Sequence, residues 1–449
     1  MALEITKDLL ERVEDLIQNQ KDKSLSKFFS DFHHADIAEV LDELSFDDAV
    51  YIIRLLDSET TSEVLMDVDE EVRENILEQL SAKEIAEEID ELDTDDAADV
   101  IAELPEERKQ EVIQQIEDRE HAKEIVELLR YDEDTAGGLM AKELVKVNEN
   151  WNVLTCVKKM RLQAEEVTRV HSIYVVDDEG KLKGRLSLKD LLMASTRAKI
   201  SDVYIPKVDF VHVHDKAEEV ANIMSKYDLE AIPVVDELGV LVGRITIDDI
   251  VDVIKEEAEK DYQLAAGITQ DVDSEDSIFA LTKARLPWLF LGMVGGLSAA
   301  SIMGVFQDAM EKSPILFLFT PLIAAMAGNV GVQSSAIIVQ GLANDGIKGS
   351  IWNRLLKEIS LAMLNGAILA VLLFSFVWIT KGDFQVALAI ASSLFSVIIV
   401  AGLVGTSIPL ILDKYGIDPA IATGPFITTS NDIFGILIYF SIAKMIIGF

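Results

Sequence analysis

Asp432 is the residue whose surroundings most clearly call for chemistry. It follows a run of hydroxyl and amide residues (428–431) inside an otherwise apolar stretch, IATGPFITTSNDIFGILIYF (421–440). Counted from Ile421, it lies about 17 Å along a helix, close to the middle of a membrane. An ionised carboxylate there costs about 2.5 to 3.5 kcal/mol and needs a partner, water or a proton. Two interpretations stay open: Asp432 receives a cation on a water-filled path, or it is protonated and hydrogen-bonded to a neighbouring helix.

A second apolar stretch is interrupted by small and polar residues. PLIAAMAGNVGVQSSAIIVQG (321–341) carries Asn, Gln and a Ser pair between its glycines. Such groups are unnecessary in a span that only anchors a protein. The pair Gly292 and Gly296 has the G-x-x-x-G spacing that permits close helix contacts, and simple packing is its preferred interpretation.

The charge of the chain is divided between two parts. The 449 residues carry 79 acidic and 40 basic side chains, a net charge of -39, yet the mean hydropathy is positive. From residue 286 onward there are 8 acidic and 7 basic residues, so the negative charge lies in the first 285. A nucleic-acid-binding surface would be basic, and a disordered acidic chain would lack the abundant Leu, Ile and Val. We therefore expect cations, and not nucleic acid, as partners.

Five apolar stretches in the second part are long enough to cross a membrane. They are residues 286–306, 315–343, 355–380, 387–412 and 421–449. The basic residues on the side of the first part are Lys283, Arg285, Lys348, Arg354, Lys357 and Lys414, against Lys312 and Lys381 on the other. By the positive-inside rule, we expect a multi-pass protein of the cell membrane with residues 1–285 cytoplasmic and the C-terminus extracytoplasmic.

Several common kinds of site are missing from the sequence. Cys156 is the single cysteine, which excludes an intrachain disulfide and a thiolate zinc site. The first residues lack the basic and apolar regions of a signal peptide, so we expect no export of the N-terminus. GLANDGIK (341–348) fails as a P-loop because Ile347 stands where Lys is required. ATP-driven pumping is therefore unsupported, and we expect a transport protein rather than an enzyme.

The first part begins with an internal repeat. Residues 37–56 and 85–104 match at an offset of 48 without a gap. Apolar residues recur at helical spacing, and the acidic pairs Asp47-Asp48 and Asp95-Asp96 fall where short helices would begin, favourable to the helix dipole. The pattern predicts an α-helical repeat domain of the superhelical kind. Most of its carboxylates are interpreted as a solvated surface.

A second repeat has a different period. IYVVDDEGKLKGRLSLKDLL (173–192) and IPVVDELGVLVGRITIDDIV (232–251) align at an offset of 59, each with two strands around a glycine turn and a following helix. With the strand and helix before each, these βαββα copies resemble a tandem pair of CBS domains, which act as regulatory sensors. His212 and His214 share one strand face but have no third ligand, so we interpret them as surface residues.

The segment 248–273 joins the second copy to the first apolar stretch. Its predicted helix is crowded with Asp and Glu. Like charges at this density repel unless something neutralises them. Hard divalent cations, which prefer carboxylate oxygens and water, would do so.

The order of these parts resembles the MgtE family of magnesium channels and transporters. The specific anchors are YDEDTAGGLM (131–140), AGNVGVQ (327–333) and DPA followed by GP, TT and D-x-x-G (418–435). The expected fold is a multi-domain membrane protein with an α-helical repeat N-domain, an α/β tandem CBS pair, a long connecting helix and a five-helix transmembrane domain. The expected domain bounds are 1–135, 136–199, 200–254, 248–278 and 279–449.

The resemblance implies a homodimer whose pore lies on the twofold axis, lined by the second and fifth spans. Asp432 matches the intramembrane aspartate that receives the hydrated ion, and two copies would supply paired carboxylates. Asn329 is a second pore candidate, and Asp418 matches a position at the cytoplasmic mouth. Magnesium suits such a site because it sheds its water reluctantly.

The resemblance also implies that intracellular Mg²⁺ closes the pore by bridging acidic surfaces. The matching regulatory positions are Glu63, Asp95, Asp99, Glu218, Asp228, Asp249, Asp252, Glu257 and Asp261. Lys216, Lys260 and Ala327 depart from the family pattern. Related CBS pairs bind ATP, and Asp249 is the residue that could contact its ribose.

The expected function is thus passive Mg²⁺ influx across the cell membrane, closed by intracellular Mg²⁺. A divalent-metal antiporter coupled to Na⁺ or H⁺ and a membrane-anchored cation sensor are the alternatives. Carboxylates and carbonyls also accept Mn²⁺, Co²⁺ and Ca²⁺, so the sequence leaves selectivity open.

Overall fold

A computed structural model describes residues 5–164, 167, 169–269, 272, 276–343, 350–422 and 424–448. The chain divides into two compact units, Met1–Lys255 and Glu256–Phe449, and each is described by itself. Lys348 and Phe449, used above for orientation and for the end of the last span, lie outside the described residues.

The first unit begins with ten short helices. They are α1 (Lys7–Gln18), α2 (Asp22–Phe29), α3 (His34–Asp42), α4 (Phe46–Ile53), α5 (Ser58–Asp67), α6 (Glu70–Gln79), α7 (Ala82–Ile89), α8 (Thr94–Glu103), α9 (Glu106–Gln115) and α10 (Arg119–Leu128). The predicted repeat is confirmed, because α3, α4 and α5 correspond to α7, α8 and α9 at the offset of 48. The predicted acidic pairs lie in the first turns of α4 and α8.

Two three-stranded sheets follow, one for each βαββα copy. The first copy contains β1 (Val145–Asn148), α11 (Val153–Gln163), β2 (Ile173–Val176), β3 (Leu182–Leu186) and α12 (Leu188–Met193). The second contains β4 (Val211–His212), α13 (Ala217–Tyr227), β5 (Ala231–Val235), β6 (Leu241–Thr246) and α14 (Ile247–Ala266). In each sheet the first pair of strands is parallel and the second antiparallel.

The predicted turn glycines, Gly180 and Gly239, have φ angles of 81° and 79°. Only a residue without a Cβ adopts this left-handed region readily. The backbone N–H of Leu241 donates to the Gly180 carbonyl, and that of Leu182 donates to the Gly239 carbonyl. The two copies therefore meet through their hairpin turns.

One apolar core joins the helical repeat to the second copy. It runs from Val13 in α1 through Ile101 in α8 to Val234 and Ile250. The first copy has a core of its own around Val147, Cys156 and Val175. The repeat and the second CBS copy are thus packed as one body within this unit.

The second unit holds five helices long and apolar enough to cross a membrane. They are α15 (Ile278–Val305), α17 (Ile315–Ala343), α18 (Ile351–Lys381), α19 (Phe384–Lys414) and α20 (Gly424–Ile447), with the short α16 (Gln307–Lys312) after the first. In the described part of the unit, α19 is the most buried span and packs against α17, α18 and α20. The five-span prediction is confirmed.

The start of the last span differs from the prediction. A 3₁₀ turn, Pro419–Ala422, precedes α20, which begins at Gly424 rather than at 421. Pro425 therefore falls in the first turn, where the missing N–H costs nothing, and the helix continues through it without a break. Asp432 consequently lies about 12 Å from the start of its helix. The first span also begins earlier than predicted, at Ile278 rather than at 286.

Close helix packing in this unit depends on glycines other than the predicted pair. A Cβ at Gly292 or Gly296 would have no neighbour within 4 Å, so the G-x-x-x-G interpretation is wrong within the chain. A Cβ at Gly295 would instead overlap Thr429 of α20, and one at Gly405 would overlap the backbone carbonyl of Gly331. These approaches bring α15 onto α20 and α19 onto α17.

The difference between the closely packed Gly405 and the open Gly292 predicts the effect of an alanine substitution at each. Gly405→Ala should lower the free energy of unfolding by about 1–3 kcal/mol, because backbone must move to admit the methyl group. Gly292→Ala is the matched control and should be neutral or slightly stabilising, since alanine favours helix more than glycine does. Thermal melting of the full chain in detergent measures both, and equal melting temperatures would contradict the packing.

Candidate functional site

The second unit contains a cavity of about 470 Å³ between α17 and α20. Its lining residues are Ala324, Ala325, Gly328, Asn329, Val332, Gln333, Thr428 and Asp432. The sequence-predicted pore residues Asp432 and Asn329 therefore lie on one cavity. Gln333, one turn after Asn329, adds a second amide to the same wall.

Small residues position the carboxylate against α17. A Cβ at Gly328 would lie 3.2 Å from the Thr428 methyl and 4.0 Å from Oδ1 of Asp432. The Thr428 hydroxyl donates to the Gly424 carbonyl at 3.0 Å, which satisfies it within α20. The cavity thus presents one carboxylate and two amides, whose oxygens can accept hydrogen bonds from the water of a hydrated cation.

Asp418, the third predicted pore residue, is not among those that line this cavity. It is exposed, and its Oδ1 accepts from the backbone N–H of Ala420 at 2.8 Å. This bond caps the 3₁₀ turn that leads into α20. In the described chain, Asp418 therefore helps to set where the last span begins.

Asn431 is a buried polar residue that the sequence did not single out from its run. Its side chain is 1% exposed, and neither amide atom has a hydrogen-bond partner among the described residues. It fills the space that a Cβ at Gly331 would need. Because successive residues of a helix differ by about 100°, Asn431 faces the bundle core while Asp432 faces the cavity.

The first unit contains a second concentration of carboxylates at the start of α8. Carboxylate oxygens of Asp93, Asp95 and Glu143 all lie within 4.8 Å of one another. Asp95 was predicted as a regulatory ligand, whereas Asp93 and Glu143 were not. Such a group of oxygens can hold a metal ion.

Two contacts fix the cluster that Asp93, Asp95 and Glu143 form. The Arg244 guanidinium of β6 donates to Asp93 at 3.3 Å, and Arg244 is 5% exposed. The Thr94 hydroxyl donates to Glu143 at 2.9 Å. In the first repeat the position of Asp93 is Ser45, whose hydroxyl accepts from the Asp48 N–H as a helix cap. Asp93 makes no such cap bond and pairs with Arg244 instead.

Electrostatic strain extends from this cluster to α14. Burial, and then the charges of Asp96 and Asp249, raise the pKa of Asp95 well above its ordinary value. Burial and the nearby carboxylates raise the pKa of Asp96 to about 7. The side chain of Asp99 is exposed at the surface, and the surrounding protein together with the charges of Glu133 and Asp249 raises its pKa in the same direction. Burial raises the pKa of Asp249 to about 6, although Thr246 donates two hydrogen bonds to it. Predicted ligands Asp95, Asp99 and Asp249 are thus brought together.

The other predicted regulatory residues lie apart from this group. Glu63 is exposed and has His34 at 3.9 Å. Three others are also exposed: Glu218, Asp228 and Asp252. Glu218 lies in the first turn of α13, and Asp228 ends that helix with a left-handed φ of 51°. In the second unit, Glu257 accepts a bond of 2.8 Å from Lys260, and Asp261 is half-buried on the same helix, α14.

The CBS pair contains an open pocket in its first copy. It has a volume of about 460 Å³ and is lined by residues 170–173, 185–190 and 205. Asp190 in this pocket holds the position that Asp249 holds in the second copy. Asp249 accepts two hydrogen bonds from Thr246, whereas Asp190 lines the open pocket. His212 and His214 are exposed, as expected.

The raised pKa values predict how the stability of α8 in its folded position depends on pH. A carboxyl group whose pKa is raised in the folded state stabilises the fold fully at a pH below its ordinary pKa of 3.8. This stability is lost as the pH rises through the folded-state pKa of about 7. Without metal, α8 should therefore open more often at pH 8 than at pH 5, by at least about tenfold after correction for intrinsic exchange. Hydrogen–deuterium exchange of residues 94–103 in the full chain measures this opening.

MgCl₂ should restore protection of α8 at pH 8, because a divalent cation removes the repulsion. Asp95→Asn should also protect α8 at pH 8, whereas Asp47→Asn, at the equivalent exposed position of the first repeat, should not. Identical exchange at the two pH values would show that the carboxylates do not strain the structure.

Comparison with known proteins covers both units. Residues 320–442 match the family model of the MgtE divalent cation transporter, residues 32–134 match the MgtE intracellular N domain, and residues 136–197 and 200–256 match CBS domains. The magnesium transporter MgtE of Bacillus subtilis is 37% identical over 323 residues, 71% of each chain. That of Thermus thermophilus is 38% identical over 71% of this chain and 72% of its own.

Solved structures match the cytosolic part. The cytosolic domain of the Mg²⁺ channel MgtE in complex with ATP is 34% identical, with a TM-score of 0.51 over 54% of this chain and 99% of that one. The soluble part of a magnesium transporter is 29% identical, with a TM-score of 0.50 over 56% and 99%. Together with the five spans and the carboxylate-lined cavity, these matches show that the chain belongs to the MgtE family of magnesium transporters.

Proposed function

We propose that this chain carries Mg²⁺ passively into the cell across the cytoplasmic membrane. The observation that supports this most directly is the cavity in which Asp432 faces Asn329 and Gln333. Amide groups can hydrogen-bond the water of a hydrated ion, while the carboxylate supplies charge. Magnesium is the divalent ion most often recognised through its hydration shell.

The proposed functional form is a homodimer with the pore on its twofold axis. The spans α17 and α20 line it, with Asp432 and Asn329 as pore ligands and Asp418 at the cytoplasmic mouth. Residues 1–285 are cytoplasmic and the C-terminus is extracytoplasmic, in keeping with the basic residues at the span ends. The chain acts as a transporter and not as an enzyme.

Intracellular Mg²⁺ is proposed to close the pore by binding the acidic cytoplasmic part. We assign this control to five parts of the chain. They are a repeat domain (1–135), two CBS domains (136–199 and 200–254), a connecting segment (248–278) that is helical up to Ala266, and a pore domain (279–449). Asp95, Asp99 and Asp249 are the best-supported ligands, because their ionised forms are destabilised where they lie. Asp93 and Glu143 extend the same site.

The remaining regulatory ligands are proposed from the family pattern. They are Glu63, Glu218, Asp228, Asp252, Glu257 and Asp261. Glu63, Glu218, Asp228 and Asp252 are exposed, so their oxygens are accessible to hydrated ions, whereas Glu257 and Asp261 are half-buried. When Mg²⁺ falls, repulsion between these acidic surfaces would favour the open pore.

ATP is the proposed nucleotide of the CBS pair, since the related cytosolic domain is known in complex with ATP. The pocket of the first copy offers Asp190 and Ser187 for a ribose and Arg185 and Lys189 for phosphates. We assign the nucleotide to this pocket and not to Asp249.

Asp432→Asn tests the transport function. The purified protein in liposomes should take up Mg²⁺ at a rate at least about tenfold below wild type, because the amide keeps the shape but removes the charge. Asp413→Asn, an exposed residue at the end of α19, is the matched control and should conduct normally. Normal flux through Asp432→Asn would refute the pore assignment. Flux that depends on an imposed Na⁺ or H⁺ gradient would indicate an antiporter.

The regulatory site is tested by Asp95→Asn combined with Asp99→Asn and Asp249→Asn. Channel recordings from excised patches should show that about tenfold more Mg²⁺ on the cytoplasmic side is needed for closure, because three ligand charges are lost. Asp47→Asn should close at the wild-type concentration. Unchanged closure in the triple variant would place regulation elsewhere.

A further inference from the structure

A second carboxylate lies inside the five-helix unit and has no role in the proposed transport so far. Glu358 belongs to α18, about 10 Å from the start of that span, and it is half-buried. Carboxylates inside membrane spans are costly and generally functional. Among the described residues, no basic side chain forms an ion pair with Glu358, although Arg354 lies one turn earlier on the same helix.

Two neighbouring spans are shaped to hold this side chain. The Ser334 hydroxyl of α17 donates to Oε1 of Glu358 at 2.6 Å, a length typical of a charge-assisted bond. Gly402 of α19 leaves room for the same oxygen, since a Cβ there would lie 2.9 Å from it. Ser334 is 6% exposed, so this bond is inside the bundle.

Two further hydroxyls lie on the helices that hold Glu358, and they differ from the other hydroxyls of the spans. Most hydroxyls of the spans, such as Ser393 and Thr380, donate to a carbonyl one turn back. Ser335, beside Ser334, and Thr406, one turn beyond Gly402, are buried without a partner among the described residues. The bond from Ser334 reduces the cost of keeping the Glu358 carboxylate ionised.

Glu358 and Asp432 contact α17 on different sides and at different levels, because Asp432 lies beside Gly328 and Ser334 is six residues, or about 9 Å, further along the helix. Both α18 and α20 start on the same side of the membrane, because successive spans alternate in direction. Asp432 faces Gly328 and the cavity, whereas Glu358 bonds Ser334, the residue after Gln333 of the cavity wall. With this rise and the width of α17 between them, the two carboxylates are roughly 13 Å apart. At this distance a poorly screened charge still acts strongly on a divalent ion.

We infer that Glu358 is a positioning residue of the cation path: held by Ser334 behind α17, its negative charge strengthens Mg²⁺ binding at Asp432 without touching the ion. The inference rests on the proposed transport function. It predicts an effect of charge on the affinity for Mg²⁺ and not on the maximal rate.

Three substitutions separate charge from structure, with Mg²⁺ flux measured in liposomes against Mg²⁺ concentration. Glu358→Gln keeps an acceptor for Ser334 but removes the charge, and it should raise the half-saturating Mg²⁺ by about fivefold or more while leaving the maximal flux near wild type. Glu358→Asp keeps the charge and should restore most of the affinity. Glu311→Gln, the same change on the exposed α16, should behave as wild type.

Each other outcome counts against the inference. Wild-type affinity in Glu358→Gln would make the residue a simple hydrogen-bond acceptor. An equal loss in Glu358→Asp, or failure of Glu358→Gln alone to fold, would assign it to packing. Absence of Mg²⁺ flux in the wild-type protein would instead refute the proposed function, whatever the variants do.

Discussion

Both units of this protein depend on one constraint: ionised carboxylates are held where the low dielectric around them makes their charge costly. In water, acidic side chains separate and the cost is small. Here the fold holds Asp95 and Asp249 in places where ionisation is disfavoured, and it holds Asp432 inside a membrane span. In each place, the free energy of the ionised carboxylate is lowest when a cation neutralises its charge. A structure of this kind stores free energy that ion binding releases.

In the first unit, the two halves of the repeat domain differ at the place where we propose regulatory Mg²⁺ to bind. They share helix positions and apolar core, yet they differ where α4 and α8 begin. Ser45 caps α4 in the ordinary way, while Asp93 pairs with Arg244 of the CBS pair. That one change ties the second repeat to β6 and brings the acidic first turn of α8 against the first turn of α14. Arg244 offsets part of the repulsion, and the remainder is left for metal.

Local patterns predicted much of this architecture, since periodicity and turn glycines act over a few residues. The five spans, the offset of 48 and the glycine turns of the CBS pair follow from such patterns. Contacts between distant segments were not predictable. Arg244 and Asp93 are 151 residues apart, and nothing in either neighbourhood marks the pair. Glu358 follows Lys357 near the start of its span, which made it resemble an interfacial charge, and only its bond to Ser334 shows otherwise.

The charge of the cavity bears on the proposed assembly. A single Asp432 with two amides supplies one negative charge, which leaves half of the charge of Mg²⁺ uncompensated in a medium of low dielectric. A second copy across a twofold axis would add the other carboxylate and a second pair of amides, so that ligand and ion charges balance. Two carboxylates that contact only the hydration shell would balance the charge of the ion and still let it leave, because no protein oxygen replaces its tightly held water. The charge of the ion thus favours two chains around one path, and the fast release that transport requires favours ligands that bind through water.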